Sequence, residues 1–559
     1  MKASELFVKS LEASGVRYIF GVPGEENLAF VEAVRGSSIE LVTTRHEQAA
    51  VFMAATYGRL TGRVGVALST LGPGATNLVT GVAYAQLGGM PLMVITGQKP
   101  IKRSKQGRFQ IIDVVGLMRP ITKSAETIVS ADRIPTSVYQ AVRLAEAERP
   151  GAVHIELPED IAEDITSEQP ILWQKTRRSV ADEKSILQLV HAVESAARPI
   201  IIVGSGANRK LIGKQLSALV EQTGIPFVST QMGKGVVAED SDRYLGTTAL
   251  SDNDFVHEAI RAADLVLMLG HDVTEKPPAF AQAGQRVVHI NFSAADIDTV
   301  YKPDLEVIGD ISDTLWELRA RISAAFHWEM GPFAEFQRCH REDALVESDS
   351  DAFPIKPQRI VRDLRRVMPR DGVLSLDNGM YKLWISRDYP AYVHNTVLLD
   401  NALATMGAGV PVGIGVKLVQ PHTKTVVVTG DGGFIMGGMT ELETAVRLGI
   451  DLVIVILNDD GYGMIKWKQK SMGLDDFGLD FGNPDFVQLA QAFGATGHRV
   501  GSADEFATVL ADVLERPGVH IVDVPIDYSE NVRLDAEPLI ERVRGAGARP
   551  EPVGPGEAA

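Results

Sequence analysis

Three times along this chain, short runs of Val, Ile and Leu alternate with helix-like stretches, and that rhythm restricts the fold more than any other feature. RYIFGVP, IELVTT, VGVALST, PLMVITG and GAVHIELP form the first series. PIIIVGSG, PFVST, DLVLMLG and RVVHINF form the second, and GVLSLDNG, TVVVTGDGG, DLVIVILN and VHIVDVP the third. Each run is short, apolar along its length and closed by Gly, Pro or Thr. Strands of that kind are buried on both faces, as in parallel sheets covered by helices. An α/β fold with three parallel-sheet domains is therefore expected.

At 559 residues the chain exceeds what one hydrophobic core supports. The alternation lapses into polar stretches near residues 165–185 and 325–355. That predicts an N-terminal domain over 1–170, a central domain over 185–325, a C-terminal domain over 355–530 and a tail over 531–559. The last part of the tail, GARPEPVGPGEAA, is Pro/Gly-rich and expected to be disordered. A formal net charge of -17 argues against a nucleic-acid partner, since a polyanion attracts basic surfaces. No apolar run reaches the roughly 18–20 residues that span a bilayer. The N-terminal MKASELFVKSLEASG has helical spacing and reads as a first helix rather than a signal. Cys339 is the lone cysteine, which fits a reducing compartment, so a cytoplasmic protein is expected.

Ligands of open parallel sheets sit beyond the carboxyl ends of the strands. The residues after LSLDNG, VVVTGDGG and VIVILNDD therefore matter most. TVVVT ends in Gly430-Asp431-Gly432-Gly433, and DLVIVIL ends in Asn458-Asp459-Asp460-Gly461. A glycine-flanked aspartate lets backbone approach a phosphate while the carboxylate points at a hard cation. A second oxygen ligand from the adjacent strand end, 28 residues on, completes one side of an octahedron, with diphosphate and water supplying the rest.

This pair of strand ends resembles the thiamine-diphosphate signature, and Asn458-Asp459-Asp460-Gly461-Tyr462-Gly463-Met464 resembles its acetolactate synthase branch. Phe20-Gly21-Val22-Pro23-Gly24, Arg45-His46-Glu47-Gln48 and Leu71-Gly72-Pro73-Gly74-Ala75-Thr76-Asn77 resemble the pyrimidine-binding domain of the same family. The resemblance covers about residues 1–530. It implies thiamine diphosphate and Mg²⁺ as cofactors, with the metal on Asp431, Asp459 and the carbonyl of Gly461. Glu47 would activate the aminopyrimidine ring as a general acid–base group. Met406 would hold the cofactor bent, and Gly24, Asn378, Gly379, Gly430, Gly432, Gly433, Tyr462 and Met464 would contact it. Phe109 and Gln110 match a pocket wall supplied by a neighbouring subunit. The nearby Lys99, Lys102, Arg103, Lys105 and Arg108 make a basic stretch that reads either as a solvated loop or as one that draws a 2-oxo acid carboxylate towards the entrance. Trp467 and Lys468 are expected at the substrate pocket.

Departures from the family narrow the reading. The FAD-containing biosynthetic members carry an Arg in the middle domain where this chain has Leu269-Gly270-His271-Asp272-Val273-Thr274-Glu275-Lys276-Pro277. That stretch looks like the catabolic members, so FAD is not expected. The implied activity is decarboxylation of pyruvate and transfer of the two-carbon unit to a second 2-oxo acid, giving 2-acetolactate. Lys468 and Glu159 leave a decarboxylase or an aldehyde-accepting carboligase open, and a pyruvate-oxidase-like flavoenzyme is a third reading. The family also implies a homodimer or homotetramer with active sites between chains.

Overall fold

The computed structural model describes residues 1–102, 107–174, 176, 178–209, 212–250, 254–275, 284–297, 301–323, 326 and 328–534. Arg103 and Lys105 of the basic stretch, Lys276 and Pro277, and the Pro/Gly-rich end of the tail lie outside the described residues. Among the described residues, no helix is long and apolar enough to cross a membrane. The N-terminal segment does form a helix, Ala3–Ala13.

Each apolar series closes into its own six-stranded parallel sheet. The first contains β1 (Tyr18–Gly21), β2 (Glu40–Thr43), β3 (Gly65–Ser69), β4 (Leu92–Gln98), β5 (Ser124–Thr127) and β6 (Ala152–Pro158). The second contains β7 (Pro199–Val203), β8 (Phe227–Thr230), β9 (Tyr244–Thr248), β10 (Leu265–Leu269), β11 (Arg286–Asn291) and β12 (Leu305–Ile308). The third contains β13 (Val373–Leu376), β14 (Val397–Leu398), β15 (Thr425–Gly430), β16 (Leu452–Asn458), β17 (Thr496–Arg499) and β18 (Val519–Pro525).

The spatial orders are β2-β1-β3-β4-β6-β5, β12-β11-β10-β7-β8-β9 and β14-β13-β15-β16-β18-β17. In the first sheet the chain runs from β1 outwards to β2, then returns to the other side of β1 with β3. The third repeats this with β13, β14 and β15. Such a reversal opens a crevice at the carboxyl ends of the two central strands. The crevices therefore lie between β1 and β3, between β13 and β15, and, in the central sheet, between β7 and β10.

The first and third sheets are locked together by two helices, Glu47–Thr61 and Gly409–Val419. Val51, Met53 and Ala54 share one buried cluster with Val412, Ile414 and Val416. Glycine permits the close approach: a Cβ on Gly415 would lie 2.9 Å from Thr56 Cβ and 3.2 Å from the Met53 carbonyl. The Arg59 guanidinium crosses the same seam to the Asn395 side chain (3.3 Å) and the Leu399 carbonyl (3.1 Å). Enlarging Gly415 forces the helices apart, and such overpacking costs about 2 kcal/mol. The variant G415V is expected to unfold at lower denaturant than wild type by that margin, and an unchanged midpoint would show that the seam yields.

Candidate active site

The crevice between β13 and β15 holds a cavity of about 250 Å³. Its walls come from the strand ends the topology singles out. Asn378 and Gly379 follow β13, Gly430 to Gly433 end or follow β15, and Asp459, Gly461 and Tyr462 follow β16. Met406 enters from the loop before the Gly409–Val419 helix, and Met464 from the Gly463–Ser471 helix. Every residue the sequence reading assigned to the cofactor or metal in the C-terminal half lines this one cavity. Trp467 and Lys468 lie on the same helix as Met464 but not on the cavity wall. There the Lys468 ammonium sits 4.7 Å from the centroid of the Trp467 ring.

Two carboxylates share the cavity, and burial raises the pKa of both. Asp459 is pushed up to about 7, by burial first and then by the negative charge of Asp431. The Gly432 amide donates to Asp431 Oδ1 at 2.7 Å. Asn483 Nδ2 donates towards oxygens of Asp431 (2.8 Å), Asp460 (2.9 Å) and Asn458 (3.1 Å), three acceptors facing two protons. Its buried Oδ1 has no hydrogen-bond partner. This is an arrangement with more acceptors than donors, and a divalent cation would relieve it. Among the described residues, no cluster of three His, Cys, Asp or Glu could hold a metal. Two carboxylates completed by phosphate oxygens are, however, the usual donor set for Mg²⁺. Gly430, Gly432, Gly433, Gly461 and Gly463 line the cavity with no side chains to fill it, which leaves backbone open to a phosphate. The donor set and the cradle fit a metal-bound diphosphate.

The crevice between β1 and β3 gathers the remaining predicted residues around the loop Thr70–Gly74. A Cβ on Gly24 would lie 2.4 Å from Thr70 Cβ, one on Gly74 3.1 Å from Glu47 Oε1, and one on Gly72 3.0 Å from Gln110 Cβ. Glu47, the first residue of its helix, is buried and accepts from Asn77 Nδ2 at 2.9 Å. Gln110 takes a left-handed backbone (φ 58), and Phe109 beside it is 71% exposed. None of these residues lines the cavity between β13 and β15. Lys99 and Lys102 of the basic stretch are engaged by Glu26 (2.5 Å) and Asp164 respectively.

The sequence reading passed over Asp377, Tyr381, Lys382, Asn483 and Tyr528. Asp377 directly follows β13 and is fully enclosed. Its carboxylate accepts from the amides of Asn378 (2.7 Å) and Gly407 (2.9 Å) and the hydroxyl of Thr429 (3.1 Å). No motif marks Asn483 or Tyr528; the one signal available for Asp377 was its place in LDNG, immediately before two predicted contacts.

The central crevice is filled differently. The Glu275 carboxylate accepts from the Ser205 amide (2.9 Å), the Met232 amide (3.3 Å) and the Thr230 hydroxyl (2.7 Å).

Comparison with known proteins matches residues 1–117 to the family described as thiamine pyrophosphate enzyme, N-terminal TPP binding domain. Residues 186–318 match its central domain and residues 377–524 its C-terminal TPP binding domain. Similar proteins include acetolactate synthase of Bacillus subtilis (strain 168), 34% identical over 545 residues, covering 96% of this chain and 95% of that protein. The catabolic acetolactate synthase of Raoultella terrigena is 34% identical, covering 95% of this chain and 96% of its own. The large subunit of acetolactate synthase isozyme 3 of Escherichia coli (strain K12) is 30% identical, covering 95% and 96%.

In metal-free protein the raised Asp459 carboxyl has a consequence for stability. Its folded pKa of about 7 exceeds the unfolded value near 4, so the folded state binds the extra proton between those values. Stability therefore falls as pH rises through that window. With chelator present, D459N is expected to melt higher than wild type at about pH 8, with the gap closing towards about pH 5. Melting curves across pH test this; a pH-independent gap would refute it.

Proposed function

We propose that this chain, which belongs to the acetolactate synthase family of thiamine-diphosphate enzymes, decarboxylates pyruvate and joins the two-carbon unit to a second pyruvate to give 2-acetolactate. The observation that carries the reading is the single cavity lined by Asp431, Asp459, Gly461, Asn378 and Met406 at the carboxyl ends of β13, β15 and β16. Bound thiamine diphosphate supplies an electron sink beside the carbonyl carbon.

The chain's own residues supply the rest. Asp431, Asp459 and the Gly461 carbonyl hold Mg²⁺, and the glycine backbone accommodates the diphosphate. Glu47 holds a proton at the aminopyrimidine ring, and the amide of Asn77 keeps its carboxyl oriented. Phe109 and Gln110 wall the substrate side. A carboligase must keep protons from the reacting carbon until the second substrate arrives, whereas a decarboxylase must deliver one there. The relatives named acetolactate synthase favour the first, so decarboxylation to acetaldehyde alone is the second reading.

The site is completed by another copy of the chain. Glu47 and Gln110 stand around one crevice and the metal-ligating residues around another, and Phe109 is left bare beside the first. Ile465 on the helix that lines the cavity, and Met472, Leu474 and Phe477 just after it, are exposed as well. A two-fold dimer that apposes the unlike crevices covers both sets.

Incubating the protein with pyruvate, thiamine diphosphate and Mg²⁺ is expected to yield 2-acetolactate, and acetaldehyde as sole product would overturn the assignment. E47A and D431A are each expected to be inactive. E47A should still bind the cofactor with Mg²⁺, while D431A should lose metal-dependent binding. Co-expressed in one cell, the two variants are expected to recover roughly a quarter of wild-type activity, because half of the mixed dimers' sites are intact. No recovery would place both residues of a site on one chain.

A further inference from the structure

Among the described residues lining the cavity, Lys382 is the sole cation. It is the third residue of the Met380–Asp388 helix and only 5% exposed. Its ammonium donates to Asn378 Oδ1 (2.7 Å), the Asp400 carbonyl (3.1 Å) and Asn401 Oδ1 (3.3 Å). All three protons are spent on residues that in turn shape the cavity. Asn378 Nδ2 donates to the Thr405 carbonyl at 2.8 Å, and Asp377 accepts from the Gly407 amide. Met406, between them, is therefore held from both sides. The Asp400 carboxylate accepts from the amides of Ala402 (2.9 Å), Leu403 (3.3 Å) and Ala404 (2.8 Å), and shapes the rest of that loop, where Ala404 has φ 57.

The location is an expensive one for a cation. Burial disfavours the charge, and the first turn of a helix already presents the positive end of its dipole. Both costs fall when an anion enters the cavity beside it. We propose that Lys382 is a positioning residue for the diphosphate end of the cofactor: its ammonium fixes Asn378 and the Asp400–Met406 loop, and supplies the positive charge on the protein side of the bound diphosphate. The inference rests on the reading of this cavity given above.

The charge is titratable within a practical range. Burial lowers the Lys382 pKa to about 8 against the opposing pull of Asp400 and Asp377. The other ionisable groups on the cavity wall are Tyr381 beside it, Asp431, Asp459, Tyr462 and Tyr528. From the N-terminal half, Tyr84 feels the charges of Asp400 and Arg59. With the ammonium charged in free protein only below about 8, diphosphate affinity is full below that pH and is lost as pH rises through it.

The test is calorimetric titration of the full chain with thiamine diphosphate at saturating Mg²⁺. K382M is expected to bind roughly 10- to 100-fold more weakly, the usual cost of removing a group that orients a direct ligand. K382R, which keeps the charge, should recover most of that loss. Should the variants not fold, the wild-type protein alone decides: its affinity should fall from about pH 7 to about pH 9.5. Equal affinity in folded K382M, or a wild-type affinity flat over that range, overturns the proposal. If instead wild type binds no thiamine diphosphate, or D431A binds it equally well, the reading of the cavity itself fails.

Discussion

The contact between the Glu47–Thr61 and Gly409–Val419 helices fixes the relation on which everything else depends. Each helix covers one face of a parallel sheet, so pressing them together sets the first and third sheets in one rigid relation. The Glu441 carboxylate extends the contact, accepting from the backbone amides of Arg45 and His46 at 3.1 Å. Those amides lie immediately before Glu47. The start of the helix that carries Glu47 is thus anchored by a residue from the diphosphate-binding half. Two sheets of the same topology, held face to face by shared apolar packing, give each chain one crevice of each kind.

Within the cavity, charge is organised by enclosure. Asp377, Asp431 and Asp459 are all held above the ordinary carboxylate range by burial, to about 6 for Asp377 and about 7 for Asp459. The acids differ in what compensates them. Asp377 is satisfied by backbone amides and a hydroxyl and serves as a structural anchor for the loop at Gly407. Asp431 and Asp459 face one another, with a shared amide from Asn483 on the first. Buried charge left in that condition is costly without a partner, and it is the condition that cation binding removes.

How much of this the sequence disclosed follows burial. All the strands found from apolar runs are real, and each of the missed strands β5, β9, β12, β14 and β17 is an edge strand. Ser124–Thr127 and Thr496–Arg499 have no fully buried residue, so an apolar run was never required of them. The residues proposed for metal and diphosphate were legible because glycines flank Asp431 and an Asn-Asp-Asp-Gly strand end follows 28 residues on. Lys382 was not legible. In MYKLWISRD it looks like a solvated helical lysine, and its burial depends on the loop from Asp400 folding over it. Asn483 depends likewise on a contact across 52 residues to Asp431.

The central sheet shows why topology alone does not assign a ligand. It has a crevice between β7 and β10 and a glycine turn, Gly204-Ser205-Gly206, at its mouth. In a nucleotide site those amides would face a phosphate. Here the Gly206 amide donates to the Gly270 carbonyl at 2.8 Å, and the Ser205 amide to Glu275. A Cβ on Gly204 would lie 2.5 Å from that same carbonyl, so these glycines serve strand-to-loop packing. Glu275 places a carboxylate where an anion would otherwise sit, and burial raises its pKa despite three donors. A glycine-rich turn thus borders an open cavity at Asp431 and is closed by the chain's own acid at Ser205. The deciding feature is the occupant of the crevice, which lies 70 residues away in sequence from the turn it fills.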